Sequence, residues 1–169
     1  IQRAFDSDIN ILVTICTRYS KFDQILSIAN LDPRIFCSVG IHPHQVKEEN
    51  PITIENLLTA SRHPKVIGIG ETGLDYYYDQ SPREDQKNSF RKHIEAARES
   101  QLPLIVHTRN ADEDMADILS QEMKNGSFPC VLHCFSSGQE LANTAIELGF
   151  YLSLSGILTF KNAENLRNI

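Results

Sequence analysis

The stretch Val66-Ile67-Gly68-Ile69-Gly70-Glu71-Thr72-Gly73-Leu74-Asp75 joins a short apolar run to a carboxylate. The run begins with β-branched residues and has no helical period, which is typical of a buried strand, so we predict a strand over 66–70. Glu71 then stands where that strand should end, between glycines that allow another group to come close. A carboxylate at the mouth of a buried strand is costly unless it is paired, protonated or bound to a cation. Glu71 is therefore the first candidate functional residue.

Similar apolar runs recur along the chain and alternate with helical patterns. Strands are predicted at 9–16, 35–41, 66–70, 103–106, 130–132 and 150–154, and helices at 1–5, 21–30, 51–61, 81–100, 111–124, 137–148 and 160–169. Ser81 with Glu84, and Ser137 with Glu140, predict capping boxes at two of the helix starts. Continuous apolar strands that alternate with helices are typical of a parallel sheet covered by helices.

The spacing of the strands favours one particular parallel architecture. The polar residues that close successive strands recur at intervals close to the roughly 31 residues per unit of an eight-stranded barrel. An open doubly wound sheet also fits the alternation, but no glycine-rich phosphate loop follows the first visible strand. Six strands cannot close an eight-stranded barrel. We therefore expect α/β architecture in a single domain, residues 1–169, that is an incomplete (β/α)8 TIM barrel of about six βα units, truncated at both ends.

Composition narrows the class of protein. The 169 residues carry a formal net charge of −6, which argues against a broad basic face for duplex nucleic acid. No apolar run approaches the roughly 18 residues of a membrane span, and the first ten residues do not resemble a signal peptide. The four cysteines form no CxxC pair, and we expect buried free thiols in a reducing, cytoplasmic compartment.

His63 and His93 do not fall at strand ends, and we expect both on the surface.

Four consecutive strands close on possible metal ligands, namely His42, Glu71, His107 and His133. In a barrel these strand ends meet at one face, where active sites are built. Imidazole nitrogens with a carboxylate suit Zn²⁺ or Mn²⁺, and a glutamate can bridge two ions about 3.5–4 Å apart. Each residue also has a structural interpretation, since Glu71 could cap a turn and each histidine could be a buried or surface residue without a ligand.

Other polar residues lie close to these in sequence. His44 forms a rigid turn with His42 across Pro43, and both rings could face a substrate. Arg109 could bind a phosphate bidentately or form a loop ion pair. Asp75 could orient a ligand histidine or cap a turn. The three tyrosines that follow Asp75 could stack bases or anchor the loop.

Four motifs together give the chain a family resemblance. Gly40-Ile41-His42-Pro43-His44, Gly70-Glu71-Thr72-Gly73-Leu74-Asp75, Leu104-Ile105-Val106-His107-Thr108-Arg109 and His133-Cys134-Phe135-Ser136 resemble the TatD family in order and spacing. Members of that family are metal-dependent deoxyribonucleases built on a TIM barrel and related to the amidohydrolases. Each motif alone is modest, but the four together are specific.

The resemblance implies a role for each matching residue. Glu71 would be the catalytic, metal-bridging carboxylate, His107 and His133 would be metal ligands, and His42 and His44 would line the substrate side. It also implies a centre of two divalent ions (Mg, Mn or Zn) and 3′-to-5′ exonuclease action on single-stranded DNA or a 3′ end by a monomer. The family's His-x-His pair on its first strand, and the Asp near its last strand within a Glu-Thr-Asp motif, do not occur here. We therefore expect this chain alone to hold one metal poorly and to catalyse little.

Two other functions fit the same residues. The metal site could hydrolyse a small amide or ester, including aminoacyl esters of tRNA. Alternatively, the barrel could be a non-catalytic binding module or scaffold. Comparing activity toward DNA with activity toward amides distinguishes the nuclease from the amide or ester hydrolase. Metal content tests the scaffold hypothesis.

Overall fold

The computed structural model describes residues 1–49 and 52–169. Its strands are β1 (Leu12–Thr14), β2 (Ile35–Val39), β3 (Val66–Asp75), β4 (Leu104–Arg109), β5 (Cys130–Leu132) and β6 (Tyr151–Leu152). They form a single sheet in sequential order, and every neighbouring pair is parallel. This is the topology of six consecutive βα units of a (β/α)8 barrel, and it confirms the incomplete TIM barrel predicted from the spacing.

Helices follow the strands as the alternation predicted. They are α1 (Gln2–Phe5), α2 (Phe22–Ala29), α3 (Val46–Glu49), α4 (Ile54–Ser61), α5 (Arg83–Ser100), α6 (Asp112–Lys124), α7 (Gln139–Glu147) and α8 (Glu164–Arg167). Short 3₁₀ turns cover Tyr19–Lys21, Pro43–Gln45 and Gly156–Thr159. Part of the helix predicted at 51–61 lies outside the described residues. The helix predicted at 160–169 is reduced to the four residues of α8.

The core lies between the sheet and its helices. On β4 the buried residues Leu104, Val106 and Thr108 alternate with the half-buried Ile105, His107 and Arg109. Successive strand residues point to opposite faces, so the polar end of β4 belongs to the half-buried face. On α5, Phe90, Ile94 and Ala97 are fully buried, as the apolar pattern of this helix predicted.

β3 differs from its prediction, because it continues past Glu71 as far as Asp75. Its pairing with β4 shifts register between Gly70 and Thr72, and this irregularity places Glu71 at a bulge in the strand. Gly73 has a φ of +138°, and a Cβ there would lie 2.0 Å from the His107 carbonyl oxygen. Only glycine permits this close approach of the two strands. Glu71 therefore projects from inside a strand, not from the turn that follows one.

Both predicted capping boxes are wrong. α5 has Pro82 at its N-cap, and α7 has Gly138, and neither helix start has a side-chain cap. The Ser81 hydroxyl instead accepts a hydrogen bond from Lys47 N (3.1 Å) and donates one to His44 O (3.3 Å). The Ser81 hydroxyl therefore bonds with residues distant in sequence, and not with the start of α5 as the local pattern predicted.

The cysteine prediction is correct for three residues and wrong for the fourth. Cys16, Cys37 and Cys130 are buried free thiols, and burial raises the pKa of each. Cys134 is exposed, and its Sγ lies 2.8 Å from Ser155 Oγ. Across the described ranges, no helix combines the length and the hydropathy needed to cross a membrane.

Candidate metal centre

The carboxyl ends of β3 and β4 and the segment after β2 bring the predicted residues to one place. Glu71 comes from the bulge of β3, Asp75 from its last residue, and His107 from β4. His42 is the N-cap of the 3₁₀ turn Pro43–Gln45, and its Nδ1 accepts a hydrogen bond from His44 N at 3.3 Å. That bond leaves Nε2 as the His42 nitrogen that remains for a metal.

One set of possible ligands comprises His42, Glu71 and His107. One ligand atom from each lies within 4.8 Å of those of the other two, and all three residues are half-buried. His107 Nδ1 lies 3.5 Å from Glu71 Oε1, and the His42 and His107 ring centres are 4.4 Å apart. Two imidazoles and a carboxylate at this separation have the donor types that Zn²⁺ and similar ions prefer.

A second set shares His107 with the first. His44, Asp75 and His107 also have ligand atoms within 4.8 Å of one another. Asp75 Oδ2 lies 2.8 Å from His44 Nε2 and 3.0 Å from His107 Nε2. His107 thus turns Nδ1 toward Glu71 and Nε2 toward the fully buried Asp75. An imidazole held this way by a carboxylate has a fixed orientation and a defined nitrogen for a metal.

The charges of this cluster are strongly coupled. Burial works to raise the pKa of Glu71, but the hydrogen bond with His107 and the nearby His42 and His133 outweigh it and lower that pKa. Burial works to lower the pKa of His107, but Glu71 and Asp75 together raise it. Burial, followed by the charge of His107, lowers the pKa of His42 to about 4. At neutral pH the cluster therefore offers an ionised Glu71 and a neutral His42, as metal binding requires.

His133 and Arg109 lie beside this cluster. Both line a cleft of about 1150 Å³, together with Glu71 and His107. Within the part of the chain that the structure describes, no ligand set at the 4.8 Å separation includes His133. The structure therefore brings together His42, Glu71 and His107, three of the four strand-end residues considered as ligands. His133 shares only their cleft.

Helix α5 supports the cluster from behind with two buried polar side chains. Gln86 accepts a hydrogen bond from Asp75 N (2.8 Å) and donates to Ser81 O (2.8 Å). His93 Nε2 accepts a hydrogen bond from Ile41 N (3.0 Å), and its Nδ1 lies 2.7 Å from Ser89 O. The surface position expected for His93 is wrong, since the residue is fully buried. His63, by contrast, is half-buried in the turn after α4.

The supporting role of Gln86 and His93 was not predicted from the sequence. Both lie on the side of α5 that also carries its apolar residues, and they are seven residues apart, about two helical turns. Polar residues within a buried helix face need hydrogen-bond partners, and here the partners are the backbone N–H groups of Asp75 and of Ile41, the residue before His42. The signal was present in the helical period, but it did not indicate which backbone would be held.

Comparison with known proteins agrees with this geometry. A family model described as TatD related DNase matches residues 1–169. The chain belongs to the TatD family. An Escherichia coli (strain K12) relative named "Uncharacterized metal-dependent hydrolase YcfH" is 36% identical over 168 residues. A more distant TatD-family relative from Salmonella typhimurium, named "3'-5' ssDNA/RNA exonuclease TatD", is 27% identical over 157 residues.

Solved structures give the same result. The structure described as YJJV, a TatD homolog from Escherichia coli K12, superposes with a TM-score of 0.88 at 25% identity. It matches 99% of this chain, which covers 64% of that structure. The match with YcfH includes 99% of this chain and 62% of YcfH. The match with the Salmonella exonuclease includes 92% of this chain and 60% of that relative. This TatD-family chain thus corresponds to somewhat less than two thirds of these relatives.

Proposed function

We propose that the protein is a metal-dependent phosphodiester hydrolase that acts on DNA, with two divalent ions bridged by Glu71. The observation that carries this proposal is the convergence of His42, Glu71 and His107 to within 4.8 Å, in a family whose relatives are named metal-dependent hydrolases. The donor set fits such ions, because it combines imidazole nitrogens with a carboxylate that is ionised at neutral pH.

Divalent ions bound here would activate water and stabilise the charge that develops on a phosphate. Glu71 would hold them, with His107 contributing Nδ1 and His133 contributing from across the cleft. Asp75 would accept a hydrogen bond from the Nε2 proton of His107 and so fix the orientation of the ring. His42 would add a neutral nitrogen, and His44 would hold the other side of Asp75.

Arg109 supports a phosphate substrate in particular. It lines the cleft with Glu71 and His107, and no carboxylate among the described residues lies within 4.0 Å of its guanidinium in an ion pair. A guanidinium in this position can neutralise a non-bridging phosphate oxygen. The Salmonella relative's name favours a single-stranded substrate cut from its 3′ end, and we extend that substrate to this protein. We further propose that the protein acts as a monomer in the cytoplasm.

Turnover of two substrate classes by the full-length protein tests this proposal. We expect a 5′-labelled single-stranded oligonucleotide to be shortened in Mg²⁺, Mn²⁺ or Zn²⁺, and the Glu71→Ala variant to be inactive but folded. A panel of amides and aminoacyl esters is assayed in parallel. Hydrolysis of that panel without any cleavage of DNA would contradict the proposal and support an amide or ester hydrolase.

A further inference from the structure

The three consecutive tyrosines after β3 have different environments. The Tyr76 hydroxyl donates to Asp114 Oδ2 at 2.6 Å, and the Arg83 guanidinium lies 4.2 Å from the centre of its ring. Tyr76 is thus a loop anchor. Tyr77 and Tyr78 instead are 56% and 53% exposed, with their rings edge to face at 4.9 Å. These two adjacent aromatic rings therefore leave more than half of their surface accessible.

Arg109 completes this exposed surface. Its guanidinium carbon lies 4.0 Å from the centre of the Tyr77 ring and 4.8 Å from that of the Tyr78 ring. Stacking on aromatic rings holds a guanidinium in place without neutralising its charge. Because Arg109 also lines the cleft that contains Glu71 and His107, the aromatic surface continues directly into the candidate metal centre.

Asp75 fixes the position of the tyrosines relative to the metal centre. Its Oδ1 accepts hydrogen bonds from Tyr77 N (3.1 Å) and Tyr78 N (2.8 Å), while its Oδ2 contacts His44 and His107. The Tyr78 ring also packs edge to face against His44 at 5.3 Å. One buried carboxylate therefore positions both the candidate ligand histidine and the aromatic pair.

We propose that Tyr77, Tyr78 and Arg109 form a nucleobase platform that makes the enzyme require an unpaired base beside the phosphate it cleaves. Aromatic side chains stack on the faces of unpaired bases, while Arg109 adds a cationic surface and a phosphate contact. Bases inside a duplex already stack on their neighbours and are not available to this surface. The inference rests on the proposed function and deepens it, because it assigns the preference for single strands to named residues.

Binding and cleavage of two matched oligonucleotides test the platform. One is an ordinary single-stranded oligonucleotide, and the other has abasic sugars in place of its 3′-terminal nucleosides. We expect the Y77A/Y78A double variant to bind the ordinary oligonucleotide about tenfold or more weakly, with KM raised and kcat little changed. The abasic oligonucleotide should bind wild type and variant equally. The Y77F/Y78F variant, which keeps both rings, should restore the wild-type affinity.

The outcomes separate this inference from the proposed function. Binding is measured by fluorescence anisotropy in EDTA, so it requires neither metal nor cleavage. Equal affinity of wild type for both oligonucleotides, or an equal loss for both in Y77A/Y78A, would overturn the platform even in an active nuclease. Base-dependent binding by a protein that cleaves no DNA would retain the platform and overturn the nuclease.

Discussion

His107 is the residue through which the candidate site is organised. Its two nitrogens face two carboxylates, with Nδ1 at 3.5 Å from Glu71 and Nε2 at 3.0 Å from Asp75. A histidine with one nitrogen held by a buried carboxylate can present only the other to a metal. Asp75 therefore determines which nitrogen of His107 faces the metal.

The Asp75→Asn substitution tests this arrangement. The amide cannot accept from His107 with the strength of a carboxylate, so we expect the affinity for Zn²⁺ or Mn²⁺ to fall about 10- to 100-fold. Isothermal titration calorimetry measures the loss, and circular dichroism checks the fold. Unchanged affinity in a folded variant would show that Asp75 only caps the turn at Tyr77 and Tyr78.

At the residue scale, the motifs predicted part of the cluster. Glu71 and His107 could be placed together because adjacent parallel strands end at the same edge of a sheet. The orientation of the His42 ring could not be predicted from its spacing, since it depends on the 3₁₀ turn that follows it. The strand ends predicted His42 among the possible metal ligands, and the family resemblance placed it on the substrate side. The structure groups it with Glu71 and His107.

At the scale of elements, α5 holds the ends of two strands. Gln86→Ala should leave the buried Asp75 N–H without its partner, and an unsatisfied buried donor costs about 1–3 kcal/mol. We therefore expect a loss of at least about 1 kcal/mol in the free energy of unfolding, measured with urea. Asn88→Ala, at an exposed position of the same helix, is the matched control and should change stability little. Equal stability of the two variants would contradict this role for Gln86.

His93 makes stability depend on pH. Burial lowers its pKa from 6.5 to about 4, so the unfolded chain takes up a proton at a pH where the folded protein does not. Stability is therefore full above about pH 6.5 and falls as pH decreases toward 4. Between pH 7 and 5 we expect a loss of about 2 kcal/mol from this residue. His93→Gln should lack that part of the pH dependence in urea titrations, and identical slopes would contradict the assignment.

The elements also show where local sequence patterns fail. The alternation of apolar runs with helical patterns predicted all six strands, because strands of a parallel sheet tend to read as continuous apolar runs. The hydrogen bonds of Ser81 and Gly138, next to these two helix starts, were not predictable from local sequence. Their partners are distant in the chain: His44 and Lys47 for Ser81, and Asp112 for Gly138. Local rules describe what a residue can do, and tertiary contacts decide which bond it makes.

For the whole molecule, net charge predicts how strongly salt would weaken binding of the proposed DNA substrate. A protein with a net charge of −6 should neutralise few phosphates, mainly near Arg109. We expect the logarithm of the affinity for single-stranded DNA to fall with that of the salt concentration with a slope of about −1 to −2. Fluorescence anisotropy between about 50 and 200 mM salt measures the slope. A much steeper slope would indicate a broad basic surface that the net charge argues against.

Glu71 is the residue on which the proposed metal centre depends most. The decisive measurement compares wild-type full-length protein with the isosteric Glu71→Gln variant, scoring bound metal by mass spectrometry of metals and hydrolysis of a single-stranded oligonucleotide. We predict that wild type carries divalent metal and cleaves, whereas the folded variant binds metal at least about tenfold more weakly and does not cleave. Equal metal content and equal cleavage in the two proteins would contradict the account.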